Sequence, residues 1–181
     1  LVVLKVPYPA WLIVEVGADR PGDVSESRAW IKPDIVVATL FPAVSVHVEF
    51  YDSPEAVQRE ELAPLTWLKP GGVAIVNAED EMTLSVELPE GVERLSYGVG
   101  KDAHIRAQRI KALSAKGMPQ GMSFDVAVGT ERAHVTLSGL VGVAHVYASL
   151  AGIAAAVVVG VPLESATLAF ESHSATPGRM H

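Results

Sequence analysis

Lys69-Pro70-Gly71-Gly72-Val73-Ala74-Ile75-Val76-Asn77-Ala78-Glu79-Asp80 is the stretch on which the fold turns. Its first four residues stop a preceding helix, since Pro breaks the helical ladder and Gly accepts the left-handed exit. Val73–Val76 is then a short, uninterrupted apolar run, mostly β-branched. It shows no alternation, which is the pattern of a strand buried on both faces. Asn77-Ala78-Glu79-Asp80 turns polar at once and reads as a strand-end turn. A strand of this kind belongs in a parallel sheet with helices on either side.

The same grammar extends outward in both directions. Upstream, Ser53-Pro54-Glu55 is an N-cap, a first-turn Pro and an acid facing the helix dipole. That helix is expected to run to about Leu68, with Pro64 disturbing its last turn. Ile35–Leu40 and Trp11–Gly17 are two more apolar runs, each predicted as a buried strand. Between them, Asp23 or Ser25 caps a short helix through Trp30, and Lys32-Pro33-Asp34 ends it. Downstream, Arg94–Tyr97, Ala103–Ile110, Met122–Val128 and Ala133–Ser138 are short, more alternating and separated by turns. They are expected to form a small antiparallel group. Gly142–Val159 reads as one Ala/Val-rich helix buried nearly all round, and Pro162–Phe170 as another, before a terminal loop at Thr176–Arg179. The predicted fold class is α/β: a mostly parallel sheet flanked by helices, with a small antiparallel β group, in a single domain over residues 1–181.

Composition narrows the function. With 14 Lys and Arg against 21 Asp and Glu, the 181-residue chain carries a net charge of -7, which disfavours nucleic acid as a partner. Hydrophobic residues make up 49% and charged residues 19%, so the chain can build a core. The apolar run Gly152–Pro162 is too short to span a bilayer, which takes about 20 residues. With no membrane segment and no signal peptide visible, a cytoplasmic protein is expected. The absence of Cys excludes disulfides, thiol chemistry and Cys-ligated zinc.

In open α/β sheets, ligands bind beyond the carboxyl ends of the strands. Glu15, His47, and Asn77 with Asp80 fall near such ends. Glu15 interrupts an apolar strand, where a lone buried charge is costly. It either reaches solvent or an Arg, or ligates a cation. His47 is either a hydrogen-bonded His or a ligand. No H-x-x-x-H spacing favours zinc, and a Glu/His pair suits a hard cation such as magnesium. Glu55, Glu60 and Glu61 read most simply as a solvated helix face. No G-x-x-x-x-G-K-[ST] phosphate loop occurs; Gly100-Lys101 is followed by Asp102.

Six segments in order carry a resemblance: Val14–Val24, Lys32–Thr39, His47–Ser53, Gly71–Asp80, His145–Gly152 and Pro177–Met180. Together they resemble the central, ATP-binding domain of the Mur ligases over nearly the whole chain. The Arg20-Pro21-Gly22-Asp23 segment points to the dipeptide-adding branch, rather than to folylpolyglutamate-type or cyanophycin-type relatives. The resemblance implies part of an ATP-dependent amide ligase of peptidoglycan precursor synthesis, working through an acyl phosphate. Implied cofactors are ATP and Mg2+. Implied partners are a UDP-muramoyl-peptide precursor and an amino acid or dipeptide, with no nucleic acid and no membrane.

By the same resemblance, Glu15 and His47 are the magnesium ligands, and Arg179 faces the nucleotide phosphates. Glu61 stands where the family has a lysine modified to a carbamate, giving Glu61 and Arg179 the catalytic roles. Asn77, His145 and Arg179 are the nucleotide-binding set. Here His145 and Ala148 replace two asparagines of the family motif that opens the Ala-rich helix. The chain is expected to lack the family's phosphate loop on its N-terminal side and the following C-terminal domain, and to be inactive in isolation. The alternative is a non-catalytic Mur-ligase-like binding module that has lost nucleotide binding.

Overall fold

The computed structural model describes residues 9–39 and 47–173. Its six strands lie side by side in chain order: β1 (Ile35–Val37), β2 (Val73–Asn77), β3 (Glu93–Gly98), β4 (Ile105–Ala115), β5 (Met118–Val128) and β6 (Glu131–Ser138). The pairs β1–β2, β2–β3 and β3–β4 are parallel, and β4–β5 and β5–β6 are antiparallel. The helices are α1 (Asp23–Ser27), α2 (Pro54–Leu62), α3 (Glu81–Ser85), α4 (Val143–Val158) and α5 (Leu163–Leu168). This is the expected α/β sheet, with helices on both of its faces.

β2 is the strand that its sequence described. Ile75 points into a core shared with Phe124, Val126, Val146, Leu150 and Ile153, so α4 covers that face. Ala74 and Val76 point the other way, into a cluster with Leu62 of α2, Leu65 of the 3-10 turn Ala63–Trp67 and Leu68 just after it. Burying a side chain such as Ile75 completely stabilises the fold by about 1.5–3 kcal/mol. Ser53 Oγ caps α2 by accepting from Ala56 N at 3.3 Å, with Pro54 at the first helical position. Pro64 ends the α-helical hydrogen bonding, and the chain continues as the 3-10 turn.

Three expectations are corrected. Trp11–Gly17 is not a strand: it has no ladder partner among the described residues, and Ile13 is 94% exposed. An apolar β-branched run becomes a strand only when a neighbour takes its N–H and C=O groups, and composition cannot supply that neighbour. Arg94–Tyr97 belongs to the parallel sheet as part of β3, bonded along its length to β2. α4 buries one stripe rather than its whole circumference: Val146, Ser149, Leu150, Ala151, Ile153 and Ala154 face the core.

The junction between the two halves of the sheet is unusual. β3 and β4 are parallel, yet only residues 99–104 join them, where a parallel crossover ordinarily takes a dozen or more residues. So short a return allows just two paired positions, Tyr97↔Ile105 and Gly98↔Arg106. His104 staples the turn: its Nδ1 accepts from Ser96 N at 3.1 Å and lies 2.7 Å from Ser96 Oγ. β4 then runs past the end of β3 into the antiparallel half.

Candidate functional site at the carboxyl edge of the sheet

β1, β2 and β3 all end at one edge. Tyr97, near the end of β3, donates its hydroxyl to Ala38 O at 2.9 Å, reaching across β2 to the end of β1. Burial pushes the Tyr97 phenol well above its ordinary range, with Asp80, Glu79 and Tyr147 adding to the effect. Asn77, the last residue of β2, is fully buried. Its Oδ1 accepts from Glu79 N at 3.0 Å, while its Nδ2 has no partner among the described residues. Asp80 caps α3, accepting at Oδ1 from Met82 N at 3.0 Å, and its Oδ2 is buried without a partner.

The Glu79 carboxylate turns toward the β3–β4 turn and accepts from Gly100 N at 2.7 Å and Val99 N at 3.1 Å. α4 packs on β2 and β3, bringing its first turns to the same edge. There His145 Nε2 is buried without a partner among the described residues. Burial raises the Tyr147 phenol, and the adjacent Glu79 carboxylate raises it further. Unsatisfied buried polar atoms cost roughly 1–3 kcal/mol each, and here a donor, an acceptor and a ring nitrogen without partners among the described residues lie at the edge where open α/β sheets bind their ligands.

A second group lies around α2. His47 adopts a left-handed conformation (φ 62°) ahead of the 3-10 turn Val48–Phe50, and its Nε2 stands 3.4 Å from Asp19 Oδ1. Glu61 is half-buried on α2; burial pushes its carboxyl up, and the charge of nearby His47 pulls it back. Glu60 is not a solvated surface acid. Its Oε1 accepts from Gly22 N at 2.7 Å and Val24 N at 3.2 Å, tying the start of α1 to α2. Burial, with Glu60 next in importance, pushes the Tyr51 phenol up to about 12.

The structure therefore brings His47 within electrostatic reach of Glu61, and gathers Asn77, Tyr97, Glu79 and Tyr147 at one edge, with His145 on the helix that covers it. It does not bring Glu15 to His47: Glu15 is exposed and makes no ion pair or side-chain hydrogen bond among the described residues. No three His, Asp or Glu side chains among the described residues form a metal cage. Arg179 lies outside the described residues. Reading the sequence missed Glu79, Tyr97 and Tyr147. The signal available for Glu79 was Gly98-Val99-Gly100, two glycines flanking the turn that receives its carboxylate.

A sheet of this topology, with polar groups collected at its carboxyl edge, is an open α/β sheet of the kind whose ligands sit at that edge. The Mur ligase middle domain model matches residues 8–156. The chain belongs to that family. The UDP-N-acetylmuramoyl-L-alanyl-D-glutamate–2,6-diaminopimelate ligase of Bacillus velezensis is 33% identical over 106 residues, covering 59% of this chain and 20% of that protein. The UDP-N-acetylmuramyl-tripeptide synthetase of Roseiflexus sp. is 28% identical, over 80% of this chain and 30% of that protein. Among solved structures, MurF from Acinetobacter baumannii superposes with a TM-score of 0.70 at 22% identity, covering 91% of this chain and 34% of that one. MurF ligase from Thermotoga maritima in complex with ADP gives 0.71 at 20% identity, covering 90% and 35%. The chain thus spans about a fifth of the length of the first curated relatives it matches.

Proposed function

We propose that this chain is the nucleotide-facing part of an ATP-dependent amide ligase of peptidoglycan precursor synthesis, folded as one domain over residues 1–181. The observation that supports this reading is the set of buried, unpartnered atoms at the carboxyl edge: Asn77 Nδ2, Asp80 Oδ2 and His145 Nε2. Donor and acceptor atoms held away from water suit the edge of a nucleobase. Among the fold's matches, the Thermotoga maritima ligase was solved with ADP, which agrees with this reading.

When bound, ATP supplies the phosphoryl group that converts a UDP-muramoyl-peptide carboxylate to an acyl phosphate, from which the amine of an amino acid or dipeptide displaces phosphate as the amide forms. The work of this chain is to bind and orient. Asn77 and His145 hold the base. His47 contributes to a magnesium site with few protein ligands, consistent with an ion that keeps most of its shell as water and phosphate oxygen. Glu61 sets a carboxylate near that site, and Arg179 is the residue that the family resemblance assigns to the phosphates. Positioning and charge neutralisation are what phosphoryl transfer asks of a protein.

A second reading, a binding module without catalysis, is favoured by the pairing of His47 with Asp19. Calorimetric titration with magnesium-ADP separates the two. The first reading expects measurable binding, weakened about tenfold by Asn77→Ala or His145→Ala, with neither ATP hydrolysis nor ligation by the chain alone. Absence of binding at millimolar nucleotide refutes it in favour of the second.

A further inference from the structure

We propose that Glu79 is a positioning residue that holds the mouth of the carboxyl-edge site open at a fixed width. The inference rests on the nucleotide reading only for what the mouth receives; the clamp itself rests on geometry. Glu79 leaves the end of β2 two residues after Asn77, and its carboxylate reaches the β3–β4 turn, where it accepts from Val99 N and Gly100 N at 3.1 and 2.7 Å. On its other side lies Tyr147, one turn into the helix that also carries His145. A single side chain thus ties the end of β2 to the β3–β4 turn and lies within electrostatic reach of α4.

Glycine confirms how close the approach is. A Cβ on Gly100 would stand 2.8 Å from Glu79 Oε1, and a Cβ on Gly98 would overlap both carboxylate oxygens. Gly98 at the end of β3 and Gly100 in the turn both leave room for this carboxylate. The turn also needs holding, because six residues connect parallel strands that share only two paired positions. His104 secures its far side through Ser96, and Glu79 secures the side that faces the ligand edge. Released from Glu79, the turn and the first turns of α4 lose their common anchor, and the spacing between Asn77 on β2 and His145 on α4 is no longer set.

The test uses the 181-residue chain with Glu79→Gln, which keeps the size and one acceptor oxygen, and Glu79→Asp, which keeps the charge but falls short of the turn. Three quantities are read: amide exchange at Val99 and Gly100, the alkaline titration of Tyr147, and affinity for magnesium-ADP. In the wild-type chain both amides are expected to exchange slowly. In both variants they exchange at least tenfold faster, Tyr147 titrates at lower pH in Glu79→Gln, and nucleotide affinity falls about tenfold while the thermal midpoint stays nearly constant. Fast exchange at Val99 and Gly100 in the wild-type chain overturns the clamp. So does unchanged affinity in both variants when the wild type binds. If the wild type binds no nucleotide, the nucleotide reading fails by itself, and the exchange and titration readouts decide the clamp.

Discussion

Glu61 shows how one residue divides the two readings of function. Its carboxyl is held above the ordinary carboxylate value, first by burial, with His47 opposing. A raised folded-state value means that its contribution to stability is complete below the unfolded value near 4.5 and is lost as pH rises through the folded value. At neutral pH the ionised group is therefore a small cost. Partial exposure screens it, so without magnesium Glu61→Gln is expected to leave stability unchanged or to raise it by no more than about 1 kcal/mol. If magnesium raises the midpoint of the wild type and not of Glu61→Gln, Glu61 serves the cation. A large loss of stability in the variant would instead make it structural. Sequence named Glu61 only through resemblance, and its neighbour Glu60 looked identical in character. What separates them is contact with Gly22 and Val24, residues almost forty positions away, which no local pattern encodes.

Among the elements, those whose boundaries rest on local chemistry were the legible ones. β2 follows its Pro-Gly-Gly stop and ends at Asn77, and α2 begins at its Ser-Pro cap, because caps and breakers act within a few residues. α3 was hidden in a turn motif, although Asp80 supplies both the turn and the cap. β3 was assigned to the wrong partner, since a six-residue parallel return is not a pattern that alternation reveals. The Trp11–Gly17 run had every compositional mark of a strand and lacked only a neighbour.

In the antiparallel half, Gly121 lies between β4 and β6 at φ 154°, opposite Ser138 and beside a register shift in β4. A Cβ there would drive into Leu137 O. Gly121→Ala is expected to cost about 2 kcal/mol or more in a denaturant titration, because backbone on the neighbouring strand must yield. A cost under about 0.5 kcal/mol would mean that β5 and β6 part easily at this point.

For the molecule as a whole, three buried or half-buried phenols couple the fold to alkaline pH. Tyr51 is pushed up to about 12, and Tyr97 and Tyr147 are also raised, each with burial as the leading cause. Their stabilising contribution is complete below the unfolded value of 10.0 and is lost as pH climbs through the folded values. Stability should be flat in this respect up to about pH 10 and fall steeply above it, with phenolate absorbance appearing together with unfolding. Phenolates forming near pH 10 with the fold intact would show these hydroxyls to be in free exchange with water.

The sheet and its helices place Asn77, Tyr97 and Glu79 at one edge and His145 on the covering helix, and the central claim is that this edge receives a nucleobase. The direct measurement is a structure of the chain with magnesium-ADP bound. The account predicts the base over the carboxyl end of β2, beside the first turn of α4, with polar atoms about 3 Å from Asn77 Nδ2 and His145 Nε2. A nucleotide seated elsewhere, with those two atoms still unpartnered, would contradict it.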